Sequence, residues 1–188
     1  MSNQFRIRNC NIEGLKIIKP FYVEDERGYF LKNYEKDIFY EMGIKDVINE
    51  EFETFSKKNV IRGLHFQLKN SQIKMVRVIR GKIMDVVVDI RKNSPTFGQY
   101  EIIELSEENR LIFYIPAGFA HGFRVLSENA VVSYRCIGKY DRETDTGIKW
   151  NDNDLQINWG NEKEMYIVSQ RDMNLMTFKE FQEKYQGI

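Results

Sequence analysis

Between residues 59 and 137 the chain is a succession of short runs rich in Val, Ile, Phe and Tyr, interrupted by RGK, KNSPTFG, SEENR and SENA. Those interruptions have turn compositions, and they recur at the spacing of consecutive antiparallel strands. The pattern predicts a β-sandwich or barrel. One run shows how its faces divide: in KIMDVVVDIR, Ile83, Asp85, Val87 and Asp89 alternate with Met84, Val86, Val88 and Ile90. A period of two makes the second set a continuously apolar face and the first a mixed one, suited to lining a wet cavity.

Helical spacing is confined to the edges of this region. EKDIFYEMG sets Ile38, Phe39 and Met42 on one face and closes on Gly43, a C-terminal cap. Near the other end, Thr177 and Glu180 have capping-box spacing, followed by Phe181 and Tyr185 on the face that also holds Phe178. Helices that flank the strands instead of alternating with them argue against a parallel α/β fold. The 188 residues therefore read as a single, mainly β domain, 1–188, with a barrel core at about 50–150 and a C-terminal helix at about 174–187.

Charge removes some partners. With 28 basic and 28 acidic side chains the formal charge is zero, and no Lys/Arg block is long enough to follow a nucleic-acid backbone. The opening MSNQFRIRNCNIEG has no apolar core of signal-peptide length, and no stretch approaches the roughly 20 apolar residues that cross a bilayer. The expectation is a cytoplasmic protein with neither nucleic acid nor membrane as partner. Cys10 and Cys136 are far apart and form no CxxC pair, so neither a disulfide framework nor a thiolate zinc site is indicated.

The chemistry starts from two histidines. His65 sits in RGLHFQ and His121 in IPAGFAHGF, where Pro116 and Gly118 suggest a tight turn of the kind common in cupin-type jelly-roll barrels. Many such barrels hold a metal through an HxH pair, a carboxylate and a further histidine. Two histidines without an HxH speak against a tightly held iron or zinc. A histidine remains a good general base near neutral pH if a partner orients it, a cation or donor stabilises the anion it creates, and an acid returns the proton. Lys74, Tyr134, Tyr140 and Asp172 are candidates for those roles, but spacing does not single them out.

Six segments do. DERGYF, RGLHFQ, DVVVDIRKNSPTFG, IPAGFAHGF, VVSYRCIGKYDRETDTGIKWNDNDLQINW and SQRD occur in the order and at close to the spacing of the dTDP-4-dehydrorhamnose 3,5-epimerase family, which the chain resembles over nearly its whole length. The resemblance implies a cupin-type jelly-roll barrel with short flanking helices, usually a homodimer. It also implies cofactor-independent epimerisation, at carbon 3, carbon 5 or both, of a nucleotide-linked 4-keto sugar for surface polysaccharide biosynthesis. It assigns His65 as base, Asp172 as its paired carboxylate, Lys74 as the cation beside the enolate oxygen and Tyr134 as the acid on the opposite face of the sugar. Arg27 and Arg62 match diphosphate-gripping arginines. Phe30, Gln67, His121, Tyr140 and Arg171 match pocket-lining positions, with Asp85 as counter-charge to Lys74. Taken singly, Tyr134 reads as a sheet aromatic, Asp172 as a helix-start or surface carboxylate and Lys74 as a solvated cation.

A geometric objection accompanies the resemblance: in a regular strand Arg62 and His65 point to opposite faces. Both reach one site only if Gly63 marks a bulge, or if the arginine serves a partner subunit. The chain also departs from the family pattern. EEFET at residues 50–54 replaces a segment like QDNxS, and Lys32 stands where a glutamate is expected. The loop before Lys74 is one residue short, and Asn153 and Gly160 replace prolines. These departures leave open the nucleotide, dTDP or GDP, and the sugar, hexose or heptose. They also leave a sugar 3,4-ketoisomerase and a non-catalytic sugar-nucleotide binding barrel as alternatives.

Overall fold

In the computed structural model of the protein, residues 5–41, 43–45, 47–160 and 165–188 are described. The first half of the chain supplies β1 (Arg6–Asn9), β2 (Lys16–Lys19), β3 (Phe21–Asp25), β4 (Gly28–Lys32), α1 (Lys36–Glu41), β5 (Ile48–Lys57), β6 (Val60–Gln67), β7 (Ile73–Arg80) and β8 (Lys82–Asp89). The second half supplies β9 (Tyr100–Ser106), β10 (Ile112–Ile115), β11 (Phe119–Val125), β12 (Asn129–Ile137), β13 (Asp145–Gly147), β14 (Ile167–Val168), α2 (Gln170–Met173) and α3 (Phe178–Tyr185).

Two sheets face each other as a jelly-roll barrel, as the strand pattern predicts. The first has the order β1-β2-β10-β7-β12-β5 and the second β13-β6-β11-β8-β9, with β14 added in parallel to β6. Because β2 pairs with β10, the N-terminal strands join the first sheet well before residue 50. The β3–β4 hairpin forms a separate two-stranded ribbon.

Apolar packing follows the alternation of each strand. Val76, Val78, Phe113 and Ile115 of the first sheet meet Ile83, Val87, Phe123 and Val125 of the second in the barrel interior. The opposite face of the second sheet, with Leu64, Phe66, Val86 and Val88, is covered by Trp159, Phe178 and Phe181. The outer face of the first, with Ile18, Met75 and Ile112, is covered by Phe5, Phe39 and Ile44. So β8 is buried on both sides, and its two aspartates part company. Asp85 lies within the barrel, bonded to His121, whereas Asp89 ends the strand and accepts from Arg91 and from Ser94 and Thr96 of the KNSPTFG turn. The expectation that both line one cavity fails because Asp89 is a turn organiser.

The helices are short. Thr177 and Glu180 form the capping box read from the sequence, and Phe181 is fully buried beneath it. The C-terminal helix is Phe178–Tyr185, shorter than the 174–187 expected. The cap starts it at Thr177, and Asn174 closes the separate short helix α2. In α1, Phe39 is buried and Gly43 has the left-handed φ of +85° that a helix-ending glycine takes. Met42 lies outside the described residues.

Candidate active site

The base wall is built on the second sheet. Asp172 reaches His65 from α2, whose first turn is held by Ser169 accepting from the Asp172 amide at 3.0 Å. One Asp172 oxygen lies 2.8 Å from His65 Nε2, and the other accepts from the Gly63 amide at 3.1 Å. Asp172 is only 3 % exposed, so it is not a surface carboxylate. Burial pushes its pKa up, but the His65 hydrogen bond and charge, the Gly63 N–H and Arg171 outweigh burial and leave it below the ordinary value. An ionised Asp172 accepts a hydrogen bond from Nε2–H, which leaves Nδ1 as the basic ring nitrogen.

Gly63 answers the objection about Arg62. His121 pairs with His65 and Phe123 with Arg62, so three steps along β6 oppose two along β11, a one-residue bulge. The bulge turns Arg62 onto the face that carries His65. Only glycine fits there: φ is +119°, and a Cβ on Gly63 would come within 2.5 Å of the Gly122 Cα. Arg62 then spans toward the first sheet, donating to Ser56 Oγ at 2.9 Å and to the Phe55 carbonyl at 3.3 Å.

The opposite wall belongs to the first sheet and is organised by register. Lys74 pairs with Cys136 and Cys136 with Glu50, while Val76 pairs with Tyr134 and Tyr134 with Phe52. Directly opposed residues share a face, so Glu50, Cys136 and Lys74 form one row and Phe52, Tyr134 and Val76 the next. Burial pushes the Lys74 pKa down, against the fields of Cys136, Asp145, Asp85 and Glu50. Burial likewise raises Tyr134 well above the usual phenol value, aided by Asp85 and opposed by Arg62. Among the described residues neither the Lys74 ammonium nor the Tyr134 hydroxyl has a hydrogen-bond partner.

Between the walls opens a pocket of about 350 Å³. Of the residues expected there, His65, Gln67, Lys74, Tyr140 and Arg171 line it. Gln67 acts as a brace: its amide donates to the Asn70 and Lys139 carbonyls and accepts from the Asp141 amide. His121 and Asp85 lie beneath the wall as a buried pair, with Nε2 3.0 and 2.9 Å from the two carboxylate oxygens. Burial raises the Asp85 pKa, against the pull of His121 and Lys74. Tyr134 is 6 % exposed, with the His121 ring edge-on to it at 5.9 Å. Tyr134 and Arg62 stand behind the lining residues, and Arg27 and Phe30 do not line the pocket at all. Both stand on the β3–β4 hairpin, where Arg27 is ion-paired to Asp25 with its side chain 84 % exposed.

Sequence reasoning missed Asp145, Glu50 and Phe52, all of which line the pocket. Asp145 Oδ2 accepts from the Tyr140 hydroxyl at 3.0 Å and from Arg171 at 2.8 Å, tying two segments at the pocket mouth. Gln72 donates to Glu50 at 2.7 Å. Among the described residues no three His, Cys, Asp or Glu side chains converge as a metal site requires.

A family model described as dTDP-4-dehydrorhamnose 3,5-epimerase matches residues 9–180. The chain belongs to that family. It is 44 % identical over 178 residues to the dTDP-4-dehydrorhamnose 3,5-epimerase of Methanothermobacter thermautotrophicus, spanning 94 % of this chain and 96 % of that protein. The crystal structure of the Elizabethkingia anophelis dTDP-4-dehydrorhamnose 3,5-epimerase superposes with a TM-score of 0.89 at 42 % identity, covering 95 % of this chain and 98 % of the other. The dTDP-6-deoxy-D-glucose-3,5-epimerase of Legionella pneumophila, solved with dTDP-4-keto-L-rhamnose, gives 0.89 at 40 % identity over 93 % of each chain. The protein is thus an isomerase of the nucleotide-sugar epimerase class, and its pocket lies between the sheets of the epimerase barrel.

Proposed function

We propose that this epimerase inverts carbon 3, carbon 5 or both of a dTDP-linked 4-keto-6-deoxyhexose, in the cytoplasm and for surface polysaccharide synthesis. The observation that carries the reading is the division of labour between the walls: an imidazole oriented by a carboxylate on one sheet, and on the other an ammonium and a phenol with no hydrogen-bond partner among the described residues. A ketone at carbon 4 acidifies the hydrogens on its neighbours. His65 takes one of them, and the C–H electron pair moves into the ring to form an enolate whose charge rests on the ketone oxygen. Asp172 stabilises the resulting imidazolium, and Lys74 stabilises the oxyanion. Tyr134, kept protonated by burial, delivers a proton to the opposite face of the same carbon. The electron pair returns to that carbon, and the ketone is restored at carbon 4.

Arg62, brought onto the site face by the bulge, is placed to meet the diphosphate with a planar guanidinium. Tyr140, braced by Asp145, offers a flat surface at the pocket mouth for the base. The exposed hairpin carrying Arg27 and Phe30 is read as reaching a second copy of the chain, which makes the working unit a homodimer.

Incubation with dTDP-4-keto-6-deoxy-D-glucose in deuterated water tests the reading, with deuterium at carbons 3 and 5 followed by NMR. Deuterium at either carbon, with the carbonyl still at carbon 4, is the expected result. Movement of the carbonyl to carbon 3 would identify a ketoisomerase. Binding without exchange would leave a barrel that does not turn this sugar over.

A further inference from the structure

Tyr134 is buried, yet no hydrogen bond among the described residues orients its hydroxyl. Packing holds it instead, in the barrel core beside Val76. The His121 ring, itself fixed by Asp85, meets it edge-on at 5.9 Å. Phe52 lies flat against it, with centroids 4.9 Å apart and planes within 14°. The register explains the contact, because Phe52 of β5 and Tyr134 of β12 are directly paired. Phe52 is nevertheless 43 % exposed and lines the pocket, so burial of its own surface is a partial account of why a large aromatic stands there. It is the third residue of EEFET, the stretch in which this chain departs from the family pattern.

We propose that Phe52 is a positioning residue for proton return: by stacking on Tyr134 it fixes the plane of the phenol and keeps its hydroxyl aimed at the sugar. This inference rests on the reading of Tyr134 as the acid. Phe52 is the one flat face stacked on the phenol, so its removal loosens the plane of a ring that the core otherwise holds only by apolar packing. Proton removal by His65, on the opposite wall, does not depend on that orientation. Loss of Phe52 therefore acts selectively: the enolate still forms, but it is reprotonated more often from the His65 side, which returns the starting stereoisomer.

The test measures, for the same sample in deuterated water, the rate of hydrogen exchange and the rate of inversion. Phe52→Leu keeps an apolar side chain without a flat ring. It should slow inversion about tenfold, equivalent to ~1.4 kcal/mol in the barrier, with exchange changed less than threefold. Phe52→Trp, which restores a flat face at a half-open edge position, should bring the inversion-to-exchange ratio back to within about twofold of the original. Phe52→Ala serves if the leucine variant melts early, and carries the same expected ratio. A parallel fall of exchange and inversion in the leucine and alanine variants, or no recovery with tryptophan, overturns the positioning role. Tyr134→Phe separates the two readings. If it too leaves the inversion-to-exchange ratio unchanged, the acid assignment itself has failed. If it lowers the ratio while the Phe52 variants do not, only the present inference falls.

Discussion

The two walls of the pocket are built on opposite electrostatic plans. On the second sheet each histidine is locked to a buried carboxylate, His65 to Asp172 at 2.8 Å and His121 to Asp85 at 2.9 Å. On the first sheet Tyr134 is buried and Lys74 half-buried, neither has a hydrogen-bond partner among the described residues, and desolvation moves both away from their ordinary pKa values. A base must present one nitrogen in one direction before substrate arrives, and a hydrogen bond from a fixed carboxylate does that. A cation and an acid that answer charge developing on the substrate work best if nothing else occupies them. The paired wall thus contributes to folding stability and to catalysis together, whereas the unpaired wall serves catalysis at the expense of stability.

The largest effect should come from breaking the paired wall. His65→Asn removes the base and should lower both exchange and inversion by roughly 10³–10⁴-fold. It also takes from buried Asp172 its His65 partner, leaving the Gly63 amide, so the melting temperature should fall by the equivalent of about 1–2 kcal/mol. Lys74→Met should cost less in rate, roughly 10²–10³-fold in kcat. Its effect on stability should have the opposite sign. A flexible apolar chain replaces a half-buried ammonium that has nearby acidic fields but no hydrogen-bond partner among the described residues, so the thermal melt should hold or rise by up to about 1 kcal/mol. If both variants lost stability alike, the contrast between the walls would be wrong, and Lys74 would have a partner that stabilises the fold.

These two residues also show what can be read from a chain of letters. Strand alternation, the Thr177 capping box and the Phe39 face are local signals, spaced within one or two turns, and the fold reproduces them. The bond between His65 and Asp172 joins residues 107 apart, and periodicity says nothing about such a pair; only the resemblance of SQRD and RGLHFQ to a known family suggested it. The bulge at Gly63 was half legible, as a conflict between Arg62 and His65 that one glycine resolves. Asp145, Glu50 and Phe52 were illegible for a different reason. Their place in the pocket follows from strand register and loop closure, and a one-residue slip of β5 would have turned Glu50 and Phe52 to the outer face.

Asp89 gives the smallest predicted effect and a control for the contrast, since it is a paired carboxylate of the same strand as Asp85 but is bonded to a turn and not to a histidine beneath the pocket. Burial alone would raise its pKa, yet the Arg91, Ser94 and Thr96 hydrogen bonds bring it from 3.8 down to about 2. A carboxylate depressed on folding contributes stability that is complete above its unfolded pKa and is lost as pH falls through the folded value. The window therefore runs from about pH 4 down to about pH 2. Asp172 is also depressed and titrates in the acid range, so the wild-type melt alone does not isolate Asp89. The difference between wild type and Asp89→Asn does: the gap in melting temperature should be constant from pH 7 to pH 5 and close as pH drops from 4 to 2. At neutral pH kcat should change less than twofold, because none of Asp89, Arg91, Ser94 and Thr96 lines the pocket, which Arg91 meets through the Phe119 ring. A gap that stays open at pH 2 would mean that hydrogen-bond geometry, and not the carboxylate charge, holds the KNSPTFG turn. Pairing would then stabilise this barrel through shape as much as through charge.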